Sequence, residues 1–420
     1  FNIPSTVTSI GNSAFANCSG ITAFNIPSTV TSIGNSAFAN CTALTSIEIP
    51  EGVTTIGSTA FYKSGITSLH IPASVESLGY QVAELTPITS LTFAENSNLK
   101  FIDHRAFMDC DSLVGPVILP DGLEEIDYGI FGGCGKLKAV KIPDSVCRYT
   151  ENKAMFSGCS SLEYVQLSKN VSVIPDSMFE NCTSLKAISI PEGVTSIGSK
   201  SLRNCTSLKA VYLPSTLTTL GVSSDGNDKG AFYQSKNIYF VQNEFSVFNG
   251  DTLLGDNFVM PGKPEIYYMP SNLNFLGNSE FQNCNQLNSY IVFPVGVTSA
   301  AGCTQQGTFQ GVGNASSPVT IVFLGDMQEI VIKQQDAGYA NISFVFANAN
   351  DKDLNSITLT IASAGTNKLQ ANSYMTAWMR TLKKGCAAAP MCSRLSKRRR
   401  IISRSSYHWV PETLRMTLLK

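Results

Sequence analysis

The chain opens with an internal duplication. Residues Phe1–Cys18 are identical to residues Phe24–Cys41, and the two copies are displaced by 23 residues. The same pattern restarts at Ile49-Pro50, and its strand end, Ile-x-Ile-Pro or a variant, recurs at intervals of 22 to 26 residues. A fixed period of this size is typical of a solenoid, in which each repeat forms one coil and buries its apolar side against the next coil.

The repeat unit can be translated into one coil. Because side chains alternate along a strand, Ile47 and Ile49 are predicted to point inward and Glu48 outward. Pro50 ends the strand because it has no N–H group to donate to a neighbouring strand. Phe61 then places one aromatic ring per coil in the interior. One coil cannot bury these side chains alone, so stability is expected to come from stacked coils.

The spacing Leu-x-x-Ile-x-Ile, within a period of roughly 20 to 29 residues, indicates a leucine-rich-repeat solenoid. We predict a β-rich, right-handed stack of about fourteen coils of about 23 residues. One parallel sheet forms one face, and short strands or turns form the opposite side. Regular repeats are predicted over 1–222, degenerate repeats with insertions over 223–360, and a short C-terminal non-repeat tail over 361–420.

The repeat resembles the BspA-type leucine-rich repeats. The match rests on Ile-Pro-x-x-Val-Thr-x-Ile-Gly-x-x-Ala-Phe-x-x-Cys-x-x-Leu-x-x-Ile-x-Ile, which is complete at 26–49. It is strong over residues 1–220 and weak over 221–360. The resemblance implies a surface or secreted protein that binds host proteins or mediates adhesion, and not an enzyme. It transfers no functional residue, because the motif specifies folding.

The outward strand positions should form a continuous row when the coils stack. Sequence can vary there without disturbing the core, so this face is the expected partner surface. Tyrosine is enriched among interface anchors, although it also suits exposed strands for structural reasons alone. Replacing Tyr164 and Tyr212 by Ala is expected to weaken binding without lowering stability. The candidate partner-binding residues are Glu48, His70, Lys141, Tyr164, Gln166, Tyr212 and Tyr268.

Eight of the 12 cysteines occupy one repeat position. Their Cβ vectors should run parallel along the stack, which does not favour disulfides, and they do not converge on one point as metal ligands do. We therefore predict a column of small buried thiols. Its members are Cys18, Cys41, Cys110, Cys134, Cys159, Cys182, Cys205 and Cys284.

The sequence offers little for catalysis. It contains three histidines, His70, His104 and His408, and we find no nucleophile elbow, zinc-protease motif, phosphate-binding loop or dinucleotide fingerprint. Asp103 and His104 are a neighbouring pair without a nucleophile. No small-molecule substrate, cofactor or metal is predicted, and the protein is not expected to be an enzyme.

Charge is unevenly distributed along the chain. Residues 380–420 carry eleven Lys or Arg against one acid, whereas residues 1–379 carry 19 basic and 30 acidic residues. The cluster Lys397–Arg400 could bind nucleic acid or anionic lipid. No nucleic-acid-binding motif surrounds it, so a solvated tail is the preferred interpretation, and nucleic acid is not the expected partner.

These observations predict a non-enzymatic module that binds a protein, such as a host extracellular protein, at the cell surface or outside the cell. No run of eighteen apolar residues exists, so no transmembrane segment is predicted. The chain starts inside a repeat, which is typical of a partial chain, so targeting information is expected to be missing from it. The alternative is an intracellular structural or scaffold repeat protein. A signal peptide or surface anchor in the complete reading frame would separate the two.

Overall fold

The computed structural model describes residues 3–149, 154–222, 230–277, 279–297, 309, 311–324, 329–333, 342–346 and 358–362. These residues form a leucine-rich-repeat solenoid of about 12 turns, which confirms the predicted architecture and lies close to the predicted number of coils. The insertion expected at 223–229 and the basic tail from 363 onward lie outside the described residues.

The Ile-x-Ile strands pair in parallel with counterparts in neighbouring coils and form five short sheets of two to four strands. In the first pair Asn25 lies opposite Glu48, which reproduces the period of the repeat. We call this ladder the strand face. Its strands are β2 (Ala23–Asn25), β4 (Ser46–Glu48), β6 (Ser68–Ile71), β8 (Ser90–Phe93), β10 (Val117–Ile118), β12 (Ala139–Lys141), β14 (Tyr164–Gln166), β16 (Ala187–Ser189), β18 (Ala210–Tyr212), β20 (Tyr239–Val241), β23 (Ile266–Tyr268), β25 (Tyr290–Phe293), β26 (Val319–Phe323) and β28 (Ile342–Phe346).

A second ladder of shorter parallel strands packs on the same core, as predicted. It comes from the Thr-Ser-Ile part of the repeat, and its inward residues, such as Ile33 and Ile56, are buried. Its first seven strands form one sheet and the last four form another. They are β1 (Ser9–Ile10), β3 (Ser32–Ile33), β5 (Thr55–Ile56), β7 (Ser77–Leu78), β9 (Phe101–Ile102), β11 (Glu125–Ile126), β13 (Arg148–Tyr149), β15 (Val173–Ile174), β17 (Ser196–Gly198), β19 (Thr219–Val222) and β24 (Phe275–Leu276).

The described residues contain no α-helix, and one short 3₁₀-helix lies at Gly255–Asn257. It belongs to a segment that leaves the strand face after β20 and returns at β23. This segment also contains the antiparallel pair β21 (Phe248–Asn249) and β22 (Thr252–Leu253). A further parallel pair joins β27 (Glu329–Lys333) to β29 (Thr358–Ala362). Among the described residues, no helix has the length and apolar character needed to cross a membrane.

The corner between the short strand and the cysteine is held by hydrogen bonds between coils. Ser36, Phe38 and Asn40 donate their backbone N–H groups to carbonyl oxygens of the following coil at 2.7 to 2.8 Å. Ser36 and Asn40 adopt left-handed φ angles of 55° and 58° in this arrangement. Asn tolerates that conformation better than most residues. The backbone polar groups of this corner are therefore satisfied without a helix.

Stacked phenylalanines run through the core. Phe38 and Phe61 stack with their ring centroids 5.8 Å apart. A second stack runs through Phe107, Phe131, Phe156 and Phe179 at centroid distances of 5.4 to 5.9 Å. Offset rings at such distances attract one another beyond the effect of their burial. The column is interrupted where Ala83 and Leu202 replace the phenylalanine of the motif.

Candidate functional site

The first four strands of the strand face, β2, β4, β6 and β8, leave their outward side chains open to solvent. Inward side chains of the same strands, such as Leu69 and Leu91, are buried. The contrast follows from the alternation of side chains along a strand. We call the eight outward residues the open face: Ala23, Asn25, Ser46, Glu48, Ser68, His70, Ser90 and Thr92.

The open face is polar and carries short side chains. His70 Nδ1 lies 2.9 Å from Thr92 Oγ1, and Glu48 supplies a carboxylate two strands away from Thr92. The flanking hydroxyl groups of Thr67 and Thr89 donate to carbonyl oxygens of the preceding coil at 3.2 and 3.0 Å. Because short and hydrogen-bonded side chains lose little conformational freedom on binding, such a surface is preorganised.

A flap covers the middle of the strand face. We define the flap as residues 242–265, the segment between β20 and β23. It lies over the strands from β10 to β20 and packs on their outward side chains. Sequence reasoning missed this cover, because the flap does not follow the repeat.

Two apolar clusters attach the flap to the strand face. In the first cluster, Val247 and Phe248 of the flap pack against Ala139 and Tyr164. Val247, Phe248 and Tyr164 are all at most 5 % exposed. The second cluster combines Ala187, Ala210, Tyr212, Val241, Phe245, Phe258 and Met260. Burial of apolar surface on this scale makes the flap part of the folded body of the protein.

Polar contacts join the flap to three of the candidate residues. Lys141 forms an ion pair with Asp251. Tyr164 Oη donates to the carbonyl oxygen of Gly255 at 3.2 Å. Ser246 Oγ donates to Gln166 Oε1 at 2.8 Å. These partners are 80 to 110 residues apart in sequence, so no local pattern could have predicted them.

The expected exposure is wrong for Tyr164, which is 5 % exposed, because the flap lies over it. The other candidates differ in how far they remain accessible. Glu48, His70 and Tyr268 are exposed, and the half-buried ones are Lys141, Gln166 and Tyr212. The predicted partner surface is therefore divided into an open part and a part that contacts the protein's own chain.

The sequence does carry one signal for this division. The first outward residue of the strand is serine in three of the four open coils, with Ala23 as the exception, and alanine in three of the coils beneath the flap, where Tyr164 and Tyr239 are the exceptions. Alanine loses no hydrogen bond when it is covered, whereas a covered serine needs a new partner. The compared positions are Ser46, Ser68 and Ser90 in the open part and Ala139, Ala187 and Ala210 in the covered part.

Charged groups beside the flap are paired. Lys186 Nζ lies 2.5 Å from a carboxylate oxygen of Glu163 and 5.0 Å from the centroid of the Tyr164 ring. The hydrogen bond to Glu163 raises the pKa of Lys186. Burial, together with a hydrogen bond of 2.5 Å to Glu192, raises the pKa of Tyr212. Both groups therefore keep their protons at neutral pH.

A separate cluster of metal-ligating groups lies beside the short-strand ladder. One ligand atom each from Asp103, His104 and Asp127 falls within 4.8 Å of the others. His104 Nδ1 is 2.6 Å from Asp103 Oδ1 and 3.9 Å from Asp127 Oδ2. This is the one such group among the residues that the structure describes. Asp103 and His104 are adjacent in sequence, whereas Asp127 joins them only because the coils stack.

Seven of the eight thiols of the cysteine column are buried, and Cys18, in the first coil, is half-buried. No disulfide joins the nine described cysteines. Within the column, the Sγ atom of Cys159 donates to the carbonyl oxygen of Phe131 at 2.9 Å, and Cys182 donates in the same way to Phe156 at 3.1 Å. Burial raises the pKa of the Cys159 and Cys182 thiols. These thiols thus pack the corner of each coil and are poor nucleophiles.

The fold is similar to that of a solved bacterial protein. A leucine-rich repeat protein from Bacteroides ovatus is 24 % identical, with a TM-score of 0.53, and the alignment covers 83 % of this chain and 91 % of that chain. The pneumococcal vaccine antigen PcpA is 17 % identical, with a TM-score of 0.46, over 87 % of this chain and 89 % of that chain. No match is found among the curated proteins.

The repeats also match a family model over more than half of the chain. The model, described as a BspA type leucine-rich repeat region, matches in six copies over residues 1–114 and 100–239. These copies include the open face and the covered strands from β10 to β18. The chain therefore belongs to the BspA-type leucine-rich-repeat family.

Proposed function

We propose that this protein is a non-enzymatic binding module whose open face contacts a protein partner, in adhesion or in binding of a host extracellular protein. The observation that carries the proposal is the division of the strand face. The flap covers the outward positions from β10 to β20, whereas the outward positions of β2 to β8 stay exposed and polar. Membership in a repeat family supports a binding role, because stacked repeats present extended surfaces to their partners.

The size of the open face constrains how a partner binds. Four strands at about 4.8 Å spacing span only about 15 Å. A specific interface of standard size buries about 800 Å² on each partner. The contact must therefore continue onto the flanks, where the exposed residues Thr45, Thr67 and Thr89 precede the strands. We propose a cell-surface or extracellular location, where such a surface would meet host proteins.

The test uses substitutions that block the open face without touching the core. Glu48 and Ser68 are exposed on neighbouring strands, and a double Glu48→Arg, Ser68→Arg variant places two long cationic side chains there. Thr55→Arg is the matched control, because Thr55 is exposed on the short-strand ladder of the same coils. The assay is surface plasmon resonance against a panel of immobilised extracellular-matrix proteins.

The double variant should lose at least tenfold in affinity for whichever matrix protein binds the wild type, and Thr55→Arg should retain it. Thermal unfolding of all three chains shows whether the substitutions leave the fold intact. Equal binding by wild type and double variant would exclude the open face as the partner surface. Absence of binding to every member of the panel would count against the host-matrix assignment.

A further inference from the structure

We propose that Asp103, His104 and Asp127 form a binding site for a divalent transition-metal ion of the zinc type. The three side chains come from two neighbouring coils and are between 20 % and 32 % exposed. They are close enough to share an ion and accessible enough for an ion to enter. The site is distinct from the open face and does not depend on the proposed binding function.

The site lies in two coils in which the residue after the short strand departs from the repeat motif. The motif places glycine after the short strand, and a Cβ atom added to Gly34, Gly57 or Gly79 would lie 2.5 or 2.6 Å from an atom of the preceding coil. Asp103 and Asp127 occupy this position in the next two coils. Departures from a repeated rule concentrate at functional sites.

The backbone pairing survives this departure. Asp103 N–H donates to the carbonyl oxygen of Leu78 at 3.1 Å, and Asp127 N–H donates to Ile102 at 3.0 Å. The two coils therefore keep their stacking and gain two adjacent carboxylates. Like charges side by side repel each other unless a positive charge lies between them. A bound cation would supply that charge.

Aromatic rings hold the imidazole in place. The His104 ring lies between Tyr80 and Tyr128, at centroid distances of 4.2 and 5.0 Å. Nδ1 faces the two carboxylates, with Asp103 Oδ1 at 2.6 Å and Asp127 Oδ2 at 3.9 Å. A metal ligand needs a fixed ring orientation, and packing between two rings provides it. A histidine whose ring was not packed in this way would lack this preorganisation.

The donor set favours zinc over magnesium or calcium. Imidazole suits zinc, copper and nickel, whereas magnesium and calcium take oxygen ligands almost exclusively. Ligands about 2.1 Å from one zinc ion lie about 3 to 4 Å from one another. Asp127 Oδ2 is already at such a distance from Nδ1, 3.9 Å, whereas Asp103 Oδ1, at the hydrogen-bond distance of 2.6 Å, has to move away from Nδ1 to admit the ion. Binding requires the imidazole tautomer with its proton on Nε2, since the lone pair of Nδ1 must face the ion. Water would complete the coordination.

The test is titration of the full, chelator-stripped chain with Zn²⁺ at pH 7.5, followed by calorimetry, and with Co²⁺, followed by visible absorption. The site variants are His104→Gln and Asp127→Asn. The matched control is His70→Gln, because the Nδ1 atom of His70 is likewise hydrogen-bonded to a side-chain oxygen, but His70 lies on the open face. Thermal unfolding without metal checks that each variant is folded.

Wild type and His70→Gln should bind one ion with equal affinity, and each site variant should bind at least tenfold more weakly. Equal titration of all four chains would show that other groups hold the ion and would overturn the proposal. So would the absence of binding to wild type at millimolar Zn²⁺. If Asp127→Asn fails to fold, His104→Gln decides the question.

Discussion

Replacing Tyr164 by Ala should loosen the flap and destabilise the coils beneath it. The Tyr164 ring is buried, meets Phe258 edge-on at a centroid distance of 5.9 Å, and donates its hydroxyl to the carbonyl oxygen of Gly255 at 3.2 Å. Truncation of a buried aromatic costs about 3 to 5 kcal/mol, and one hydrogen bond contributes about 1 kcal/mol.

We therefore expect Tyr164→Ala to lower the free energy of unfolding by about 4 kcal/mol or more and Tyr164→Phe to lower it by about 1 kcal/mol. This reverses the expectation from sequence that Tyr164→Ala leaves stability unchanged. Urea unfolding measures the loss, and hydrogen exchange localises it, because protection should fall within residues 242–265. Tyr268→Ala is the control, since Tyr268 is 43 % exposed and should change stability by less than about 1 kcal/mol. Equal losses at Tyr164 and Tyr268, or unchanged protection of the flap, would refute the reasoning.

Three further predictions concern the core. Burial raises the pKa of Glu280 to about 8, whereas the ordinary pKa of an unfolded glutamate is 4.5. Between pH 4.5 and pH 8 the native state therefore keeps a proton that the unfolded state has released, and stability falls as the pH rises through this range. Glu280→Gln should therefore stabilise the protein by about 3 kcal/mol at pH 7 and by little at pH 4.5, as urea unfolding would show; equal effects at both pH values would contradict the buried acid. Gly57→Ala should lower the free energy of unfolding by about 1 to 3 kcal/mol, because the new Cβ atom would lie 2.5 Å from an atom of the preceding coil. Gly11→Ala is the control, since Gly11 occupies the same motif position and its added Cβ would have nothing within 4 Å. Similar melting temperatures for the two variants in thermal unfolding would refute the clash. Maleimide should label exposed Cys147 in the native protein but leave Cys159 unlabelled until urea is added, as peptide mass spectrometry would report.

The core was predictable because the repeat imposes the same environment on every coil. Ile49 and Phe61 were assigned inward from the motif, and both are buried. The assignment needs no long-range knowledge, since each coil meets only copies of itself. For the same reason the column of thiols could be distinguished from a disulfide framework before the structure was known.

The flap and the metal-ligating cluster depend on contacts that no period encodes. Lys141 meets Asp251 at a separation of 110 residues, and the flap has no counterpart in other coils. Asp127 joins His104 only once the register of the short-strand ladder is known. The alternation of inward and outward side chains along each strand was predictable. Which of the outward side chains stay exposed was not.

The interruptions of the phenylalanine column determine how the solenoid carries mechanical load. Ala83 and Leu202 leave two joints at which neighbouring coils lack the stacked rings found on either side. The flap contacts Ala187 and Ala210, which lie on either side of Leu202 in sequence, and so connects the two coils where the stack is interrupted. The joint at Ala83 lies between β6 and β8, within the open face, and the flap does not reach it. Tension applied through a partner on the open face would therefore separate the N-terminal coils first and leave the coils beneath the flap intact.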